Sequence, residues 1–516
     1  MQDVIEQVSP VIRLHAADTV GIARTAITKG ALLEPYGIVA QQDIPAGHKL
    51  ALHAVPKGQL VKRYGQVIGF ASNDIAAGEH VHLHNLCMED FDRALEEAAE
   101  KRTPAQPAAL APGARSDTFM GIRRADGRVA TRNFIGILTT VNCSATVARA
   151  IESHFQSRIE EQFPNVDGVV ALTQNFGCGI GAKTETMATL RRTLTGYAKH
   201  PNFAAVLVVG LGCESNQIAD LFQFSGMQEN DRLRSMTIQG AGGTQKAIKE
   251  GIALIEQMLP AANQVERTPA NVSEIILALE CGGSDSYSGI SANPALGYAV
   301  DRIVAQGGTA ILSETSEIYG AEHLLTHRAV SKEVGDKLIK RIEWWEDYCS
   351  RTGSEMNNNP SAGNKAGGLT TILEKSLGGI AKAGTTPLVD VYEYAEPVLA
   401  KGLVFMDTPG YDPMAVTGQV AGGANLLCFT TGRGSAFGCK PVPSMKLCSN
   451  DALWQRQEED IDVNCGGIVS GTESLEEVGE RIYQQILRMA SGEKTKSENF
   501  GYGNLEFVPW IKGAIM

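Results

Sequence analysis

Four cysteines occupy the same place in four similar stretches of this chain. Phe134-Ile-Gly-Ile-Leu-Thr-Thr-Val-Asn-Cys143, Gly168-Val-Val-Ala-Leu-Thr-Gln-Asn-Phe-Gly-Cys178, Ala205-Val-Leu-Val-Val-Gly-Leu-Gly-Cys213 and Ile275-Ile-Leu-Ala-Leu-Glu-Cys281 are each an apolar run closed by a thiol. Such runs read as buried parallel strands, so four strands would deliver Cys143, Cys178, Cys213 and Cys281 to one rim. Thiols gathered there could bind iron, as a mononuclear site or as a cluster. The spacing lacks C-x-x-C, however, and small cysteines also fit tight glycine-flanked turns.

Other reactive groups accompany them. The stretch after Cys281, Gly-Gly-Ser284-Asp285-Ser-Tyr-Ser-Gly-Ile-Ser-Ala-Asn293-Pro, is a polar loop at the carboxyl end of a strand, where α/β proteins keep their chemistry. Ser284 and Asn293 offer hydroxyl and amide contacts, and Asp285 offers an acid. Lys365 is the sole charge in NNNPSAGNKAGG, and could anchor a phosphate or carboxylate, act as a base once desolvated, or be a solvated loop lysine. Arg433, at the tip of FTTGRG, suits bidentate carboxylate binding or is an exposed turn arginine. In Glu79-His-Val-His-Leu-His-Asn85 a strand would place His80, His82 and His84 on one face, as ligands of a metal or carboxylate or as a solvated edge. The set suits a small, hydroxyl-rich acidic substrate and does not suit a polymer.

These groups need elements to position them. Residues 1 to about 95 are rich in Val, Ile, Ala and Gly, with turn signals at Pro45-Ala-Gly47, Pro56-Lys-Gly58 and Ala76-Ala-Gly78, which predicts a small domain of short strands. Asp90 to Lys101 reads as a charged helix, and Arg102 to Ser116 is a Pro/Ala linker. From about 117, apolar strands alternate with amphipathic helices, the sign of doubly wound sheets. Ser144 to Phe155, with Ser144 as N-cap, and Thr184 to Tyr197 are two of these helices. Asn263 to Val272 is a polar joint before a second unit. The expected architecture is therefore α/β: a β-rich domain over 1–100, a linker over 101–116, and two Rossmann-like α/β units over 117–265 and 272–516.

One turn resembles a dinucleotide site. Gly240-Ala-Gly-Gly-Thr-Gln245 follows a strand and opens a helix, but lacks the third glycine of G-x-G-x-x-G and a placed acid beyond, so a tight turn capped by Thr244 accounts for it. A dehydrogenase is disfavoured.

Composition sets outer bounds. The 516 residues carry a net charge of -12 with no basic block, which argues against nucleic acid and anionic membranes as partners. No apolar run reaches the length of a membrane span and no signal peptide is recognisable, so a cytoplasmic protein is expected. Ten cysteines are too few for a disulfide scaffold, so reduced thiols are expected. The apolar strip from Phe507 to Met516 suggests docking in cis or in a homo-oligomer.

ECGGSDSYSGISANP, NPSAGNKAGG, FTTGRGSAFG, VLVVGLGCE and the N-terminal IPAGHK, YGQVIGFA and GEHVHLHN together resemble the altronate and galactarate dehydratase family, in order and over nearly the whole chain. HVHLHN and SEIYGAEHLL are similar to the altronate branch, whereas NFGCGIG and LLTHRAV are similar to the galactarate branch. The resemblance implies a SAF-like N-terminal domain, hydro-lyase action on a sugar acid, and dependence on ferrous iron, with manganese as its substitute. Related sulfolactate sulfo-lyases carry the two modules on separate chains.

Dehydration of an aldonate removes the hydrogen at C2 and the hydroxyl at C3, and the enol becomes a 2-keto-3-deoxy acid. The carboxylate makes that hydrogen weakly acidic, so a metal must take up charge and a base must stand within reach. Cys143, Cys178, Cys213 and Cys281 are expected to hold the metal, Ser284, Asn293, Lys365 and Arg433 the substrate, and His82, His84, Asp285 or Lys365 to move the proton. Within enzymes, galactarate dehydration or a sulfolactate-type elimination of sulfite is the alternative to an altronate-type aldonate, and a non-catalytic iron-thiolate or redox module is the alternative from another class.

Overall fold

A computed structural model describes residues 9–88, 116–156 and 159–513. The helix and most of the linker expected between residues 90 and 116 lie outside the described residues.

The N-terminal domain is made of short antiparallel strands. Val11–Ile12, Val20–Ala23, Lys49–Ala51 and His80–Val81 form one sheet in that order, and Leu60–Arg63, Gln66–Ala71 and Leu86–Cys87 form another. The three anticipated turns end at Gly47, Gly58 and Gly78, with φ of +80°, +78° and +79°, a conformation glycine adopts without strain. The histidine stretch departs from expectation. Its strand stops at Val81, because the Asn85 side chain accepts from the His82 backbone N–H and bends the chain into a turn.

The first α/β unit has four parallel strands in the order Gly168–Leu172, Phe134–Thr139, Phe203–Gly210, Leu233–Thr237. Phe134–Thr139 is buried along its whole length, as a strand covered by helices on both faces must be, which explains its lack of alternation. Helix Ala145–Phe155 starts after Ser144, but the Ser144 hydroxyl donates to the carbonyls of Val141 and Val209 and does not cap the helix. Helix Thr244–Asn263 likewise begins at Thr244 instead of being capped by it. The expected joint before the second unit contains a strand, Arg267–Asn271, which pairs antiparallel with Thr118–Arg123. It has a single partner, so Pro269 costs no ladder bond.

The second α/β unit is a seven-stranded parallel sheet in the order Leu388–Tyr392, Gly402–Met406, Thr309–Leu312, Ile276–Cys281, Leu426–Thr431, Ser444–Cys448, Val463–Asn464. The chain leaves Ile276–Cys281 toward one side and returns on its other side at Leu426–Thr431. That reversal opens a crevice beyond the carboxyl ends of these two strands. The apolar C-terminal strip docks in cis as far as it is described: Trp510 stacks on Trp345 at 5.3 Å, and Phe507 meets Tyr197 edge-on at 4.7 Å. No helix among the described residues is long and apolar enough to cross a membrane.

Candidate active site

Three neighbouring strands of the larger sheet end in a buried ionic cluster. Ile276–Cys281 contributes Glu280 and Cys281, the turn after Thr309–Leu312 contributes Glu314 and Glu317, and the loop after Gly402–Met406 leads to Asp412. The Cys281 thiol lies 3.5 Å from a Glu314 oxygen and 3.4 Å from a Glu317 oxygen. Cys281, Glu314 and Glu317 form one group whose ligand atoms lie within 4.8 Å of one another, and Glu280, Glu314 and Asp412 form a second. Glu314 adopts a left-handed backbone, φ +66°, uncommon for a side chain of its kind, and is held there by its N–H donating to the Thr408 hydroxyl.

The charges in this cluster do not balance. Lys375 pairs with Glu317 at 2.6 Å and Lys382 with Glu314 at 3.3 Å, so two ammonium groups face four carboxyls. Burial and the Glu314 carboxylate push Glu280 well above the carboxylate range, and burial with Glu314 and Glu317 pushes Asp412 up to about 7. Burial also raises the Cys281 thiol, and Glu314 adds to it. Glu317 alone is driven down, because Lys375 overcomes its burial. Among the described residues one oxygen each of Glu280 and Glu314 is buried without a donor, and these neighbouring carboxyls can satisfy each other only by sharing a proton. The cluster needs two protons or one divalent cation, and a thiolate with carboxylates suits a first-row divalent metal.

The loop after Cys281 lies against this cluster. A cavity of about 10 Å³ touches Cys281, Glu317 and Lys375 on one side and Ser284, Asp285 and Asn293 on the other. Asp285 is fully engaged: its carboxylate accepts from the Ser288 N–H and hydroxyl, the Ser449 hydroxyl and the Asn450 amide at 2.8–3.0 Å. Burial raises it despite those bonds. The Asn364 amide donates to the Ser284 carbonyl, and the Gly432 N–H donates to the Gly283 carbonyl. The Ser284 turn is thus clamped between the Lys365 segment and the Arg433 turn. Lys365 sits on a short helix, Ala362–Ala366, and not in a loop, because Ser361 and Asn364 form a capping box. Among the described residues neither the Lys365 ammonium nor the Arg433 guanidinium has a hydrogen bond or ion pair.

The N-terminal domain closes over the same segment. His82 Nε2 meets the Lys365 carbonyl at 2.9 Å, and His48 Nε2 meets the Ala366 carbonyl at 3.3 Å. A carbonyl can only accept, so both Nε2 atoms carry hydrogen. His48 Nδ1 is then the acceptor for His80 Nε2 at 3.0 Å. Burial and the imidazoles of His48, His82 and His84 hold His80 down at about 3. Below them Glu374 accepts from Lys49 at 2.8 Å and from Arg63 at 2.6 Å, all three groups being buried. Burial would raise Glu374, but the two cations hold it at about 2. Arg63 also donates to the Ser286 carbonyl at 2.6 Å.

The four cysteines stand on two different sheets. Cys281 is buried with Glu314 and Glu317, whereas Cys143, Cys178 and Cys213 are exposed on the smaller sheet. Their three loops adjoin, since the Asn142 N–H donates to the Phe176 carbonyl and the Asn216 N–H to the Gly177 carbonyl. Sequence reading did not find His48, Glu374, Lys375 or Lys382. A Glu-Lys pair inside the otherwise small and apolar helix ILEKSLGGI was the available signal, because charges in such a helix need buried partners.

Fold and site define a three-part α/β enzyme: two parallel-sheet units, a buried acid–thiol centre on the larger one, and a β-rich domain closing over it. Three family descriptions match in sequence: "Altronate/galactarate dehydratase SAF domain" over residues 9–89, "D-galactarate dehydratase/Altronate hydrolase, second domain" over 121–263, and "D-galactarate/Altronate dehydratase, C-terminal" over 272–515. The chain is 35% identical to altronate dehydratase of Escherichia coli (strain K12), covering 96% of this chain and 98% of that one. It is also 35% identical to galactarate dehydratase (L-threo-forming) of the same organism, covering 96% and 95%. The (2R)-sulfolactate sulfo-lyase subunit beta of Chromohalobacter salexigens is 32% identical and matches 76% of this chain. The chain belongs to the altronate and galactarate dehydratase family, and it is a hydro-lyase of that type.

Proposed function

We propose that the substrate is an altronate-type aldonate, dehydrated to its 2-keto-3-deoxy acid in the crevice between the Lys365 helix and the Arg433 turn. The observation that carries this reading is the pair of cations without partners among the described residues, Lys365 and Arg433, whose segments clamp a hydroxyl-bearing loop that shares a cavity with Cys281 and Glu317. Arg433 and Lys365 grip the carboxylate, and Ser284 and Asn293 orient the hydroxyls. His82 takes the C2 proton: its Nε2 hydrogen is committed to the Lys365 carbonyl, and its burial favours the neutral ring, so Nδ1 holds a lone pair. His84, exposed beside it, exchanges that proton with solvent. Asp285 has no free oxygen and acts as a positioning residue for the loop.

Cys281, Glu314 and Glu317 would hold the divalent cation, ferrous iron or manganese. When bound, it supplies Lewis acidity toward the substrate's carboxylate or departing hydroxyl. The charge deficit of the cluster and the orphaned Glu314 oxygen support a cation there. Cys143, Cys178 and Cys213, on three adjoining exposed loops, are the thiols left for an iron–sulfur cluster.

The two cations also favour a second reading. Galactarate carries two carboxylates, one for each of Lys365 and Arg433, and equal identity to both curated dehydratases does not separate the substrates. The test uses protein purified without oxygen and reconstituted with ferrous iron. Altronate, galactarate and sulfolactate are offered in parallel, and 2-keto acid, pyruvate, sulfite and iron per chain are measured. Keto acid from altronate alone supports the first reading, and from galactarate alone the second. Activity that survives both Cys281→Ser and metal removal overturns the metal assignment.

A further inference from the structure

At the opposite ends of the strands, away from the candidate active site, two cavities of about 520 and 320 Å³ share Arg128, Lys199 and His200 as a common wall. The larger lies at the junction of the two α/β units, with Arg128 and Lys199 from one and Glu274, Leu399 and Lys401 from the other. Junctions of this kind are frequent places for small-molecule sites.

The two cavities differ in character and are continuous in charge. The larger is lined by Val129, Ile276, Val398 and Leu399, and has Phe224 at its edge. Leu399 is 84% exposed and Phe224 49% exposed, so its mouth is apolar. Around both stand Arg128, Arg192, Lys199, Arg232 and Lys401 against two acids, Asp126 and Glu274, in a chain whose net charge is -12. Arg128 is paired with Asp126 at 2.6 Å and Arg192 with Glu393 at 3.5 Å, but the other three cations are held by neutral carbonyls and not by carboxylates: Lys199 on Ser225, Arg232 on Ala204 and Lys401 on Ser273, at 2.6–2.7 Å. A hydrogen bond to a carbonyl fixes a cation without cancelling its charge, so the groove keeps a positive field. These residues are scattered through the sequence, and only the fold gathers them.

We infer that this groove is a second small-molecule site, taking a ligand with an apolar body and a carboxylate or phosphate head. The head lies among Lys199, Arg232 and Lys401, and the body lies between Phe224 and Leu399. A sugar acid does not fit, because its hydroxyls would face an apolar wall without partners. The site is therefore distinct in chemistry from the crevice that takes the substrate, and the inference does not depend on which sugar acid is turned over. It also touches the feet of the two strands whose far ends carry Cys281 and the Arg433 turn. The Asn425 side chain accepts from the Ile276 N–H and donates to the Glu274 carbonyl there. About 20 Å of strand separates the two sites, from six residues at roughly 3.3 Å each.

The test is a fluorescence titration of the intact chain with 1-anilinonaphthalene-8-sulfonate, and with N-phenyl-1-naphthylamine as the same body without its charge. Saturable binding of one sulfonate per chain is expected, with the neutral probe at least tenfold weaker. Lys199→Glu combined with Lys401→Glu weakens the sulfonate at least tenfold at unchanged circular dichroism, and Leu399→Asp does so without altering any cation. Displacement by octanoate or by octyl phosphate identifies the head group, and failure of both to displace it overturns the proposal. So does binding that neither variant alters, or equal binding of the neutral probe. Sedimentation showing a dimer that Leu399→Asp dissociates would also overturn it, because the groove would then be covered by a second copy.

Discussion

At the scale of single residues, the candidate site divides between side chains that are free and side chains that are bound. Among the described residues Arg433 and Lys365 have no partner, and a charge-assisted hydrogen bond to a substrate carboxylate contributes about 1.5–3 kcal/mol. Arg433→Met is therefore expected to raise KM for the sugar acid about 10- to 100-fold with kcat changed far less, since the carboxylate is gripped alike in ground and transition states. Steady-state kinetics across a substrate series checks this, and a loss confined to kcat would place Arg433 in the chemical step instead. Glu317 is bound, to Lys375 and to Asn359, yet lies 3.4 Å from the Cys281 thiol. Glu317→Gln is expected to lower manganese occupancy per chain by at least tenfold in protein loaded with manganese alone at fixed free metal, read by atomic emission after dialysis, while Cys143→Ser leaves that occupancy unchanged.

At the scale of elements, helix Ile372–Ile380 joins the N-terminal domain to the buried cluster. Glu374 faces Lys49 and Arg63 of that domain, and the next residue, Lys375, faces Glu317. Glu374→Gln leaves two buried cations without a carboxylate, and breaking a buried ion pair from one side costs about 3–5 kcal/mol. A urea midpoint lowered accordingly, at an unaltered slope, is the expected result; a change under about 1 kcal/mol would mean that the contact contributes little. The same elements show what the sequence can and cannot disclose. Strand Phe134–Thr139 was readable because burial on both faces demands an unbroken apolar run. The clasp was not readable, because Glu374 stands more than three hundred residues from both Lys49 and Arg63 and each resembles a surface charge until the fold buries it. Lys365 was found by its glycine-rich surroundings, but its helix depends on the local Ser361–Asn364 capping box, which composition disguised as a loop.

At the scale of the whole molecule, the β-rich domain meets the catalytic unit through imidazoles, and this makes the assembly sensitive to acid. The rings of His48, His80 and His82 lie 5.0–5.6 Å apart. Burial, with Lys49 adding to it, keeps all three below the ordinary value of 6.5, and the neighbouring imidazoles take His80 down to about 3. An unfolded chain protonates these rings near 6.5, whereas in the folded chain each takes its proton only at lower pH, His80 at about 3. The unfolded state thus binds more protons throughout that window, so stability is full above 6.5 and falls as the pH is lowered toward 3. Glu374 adds a loss of its own only at the acid end, because its carboxylate, held at about 2, supports folding above the ordinary 4.5 and loses that support as the pH falls below it. Urea unfolding at pH 7.5, 6.0 and 5.0 separates the two, since all three points lie above 4.5. Asp412 and Glu280, whose carboxyls are raised, gain stability as the pH falls and do so alike in both chains. The expected result is therefore a difference: from pH 7.5 to 5.0 the wild-type midpoint loses ground relative to that of His80→Asn, whereas equal slopes in both chains would assign the acid sensitivity to groups outside the histidine cluster.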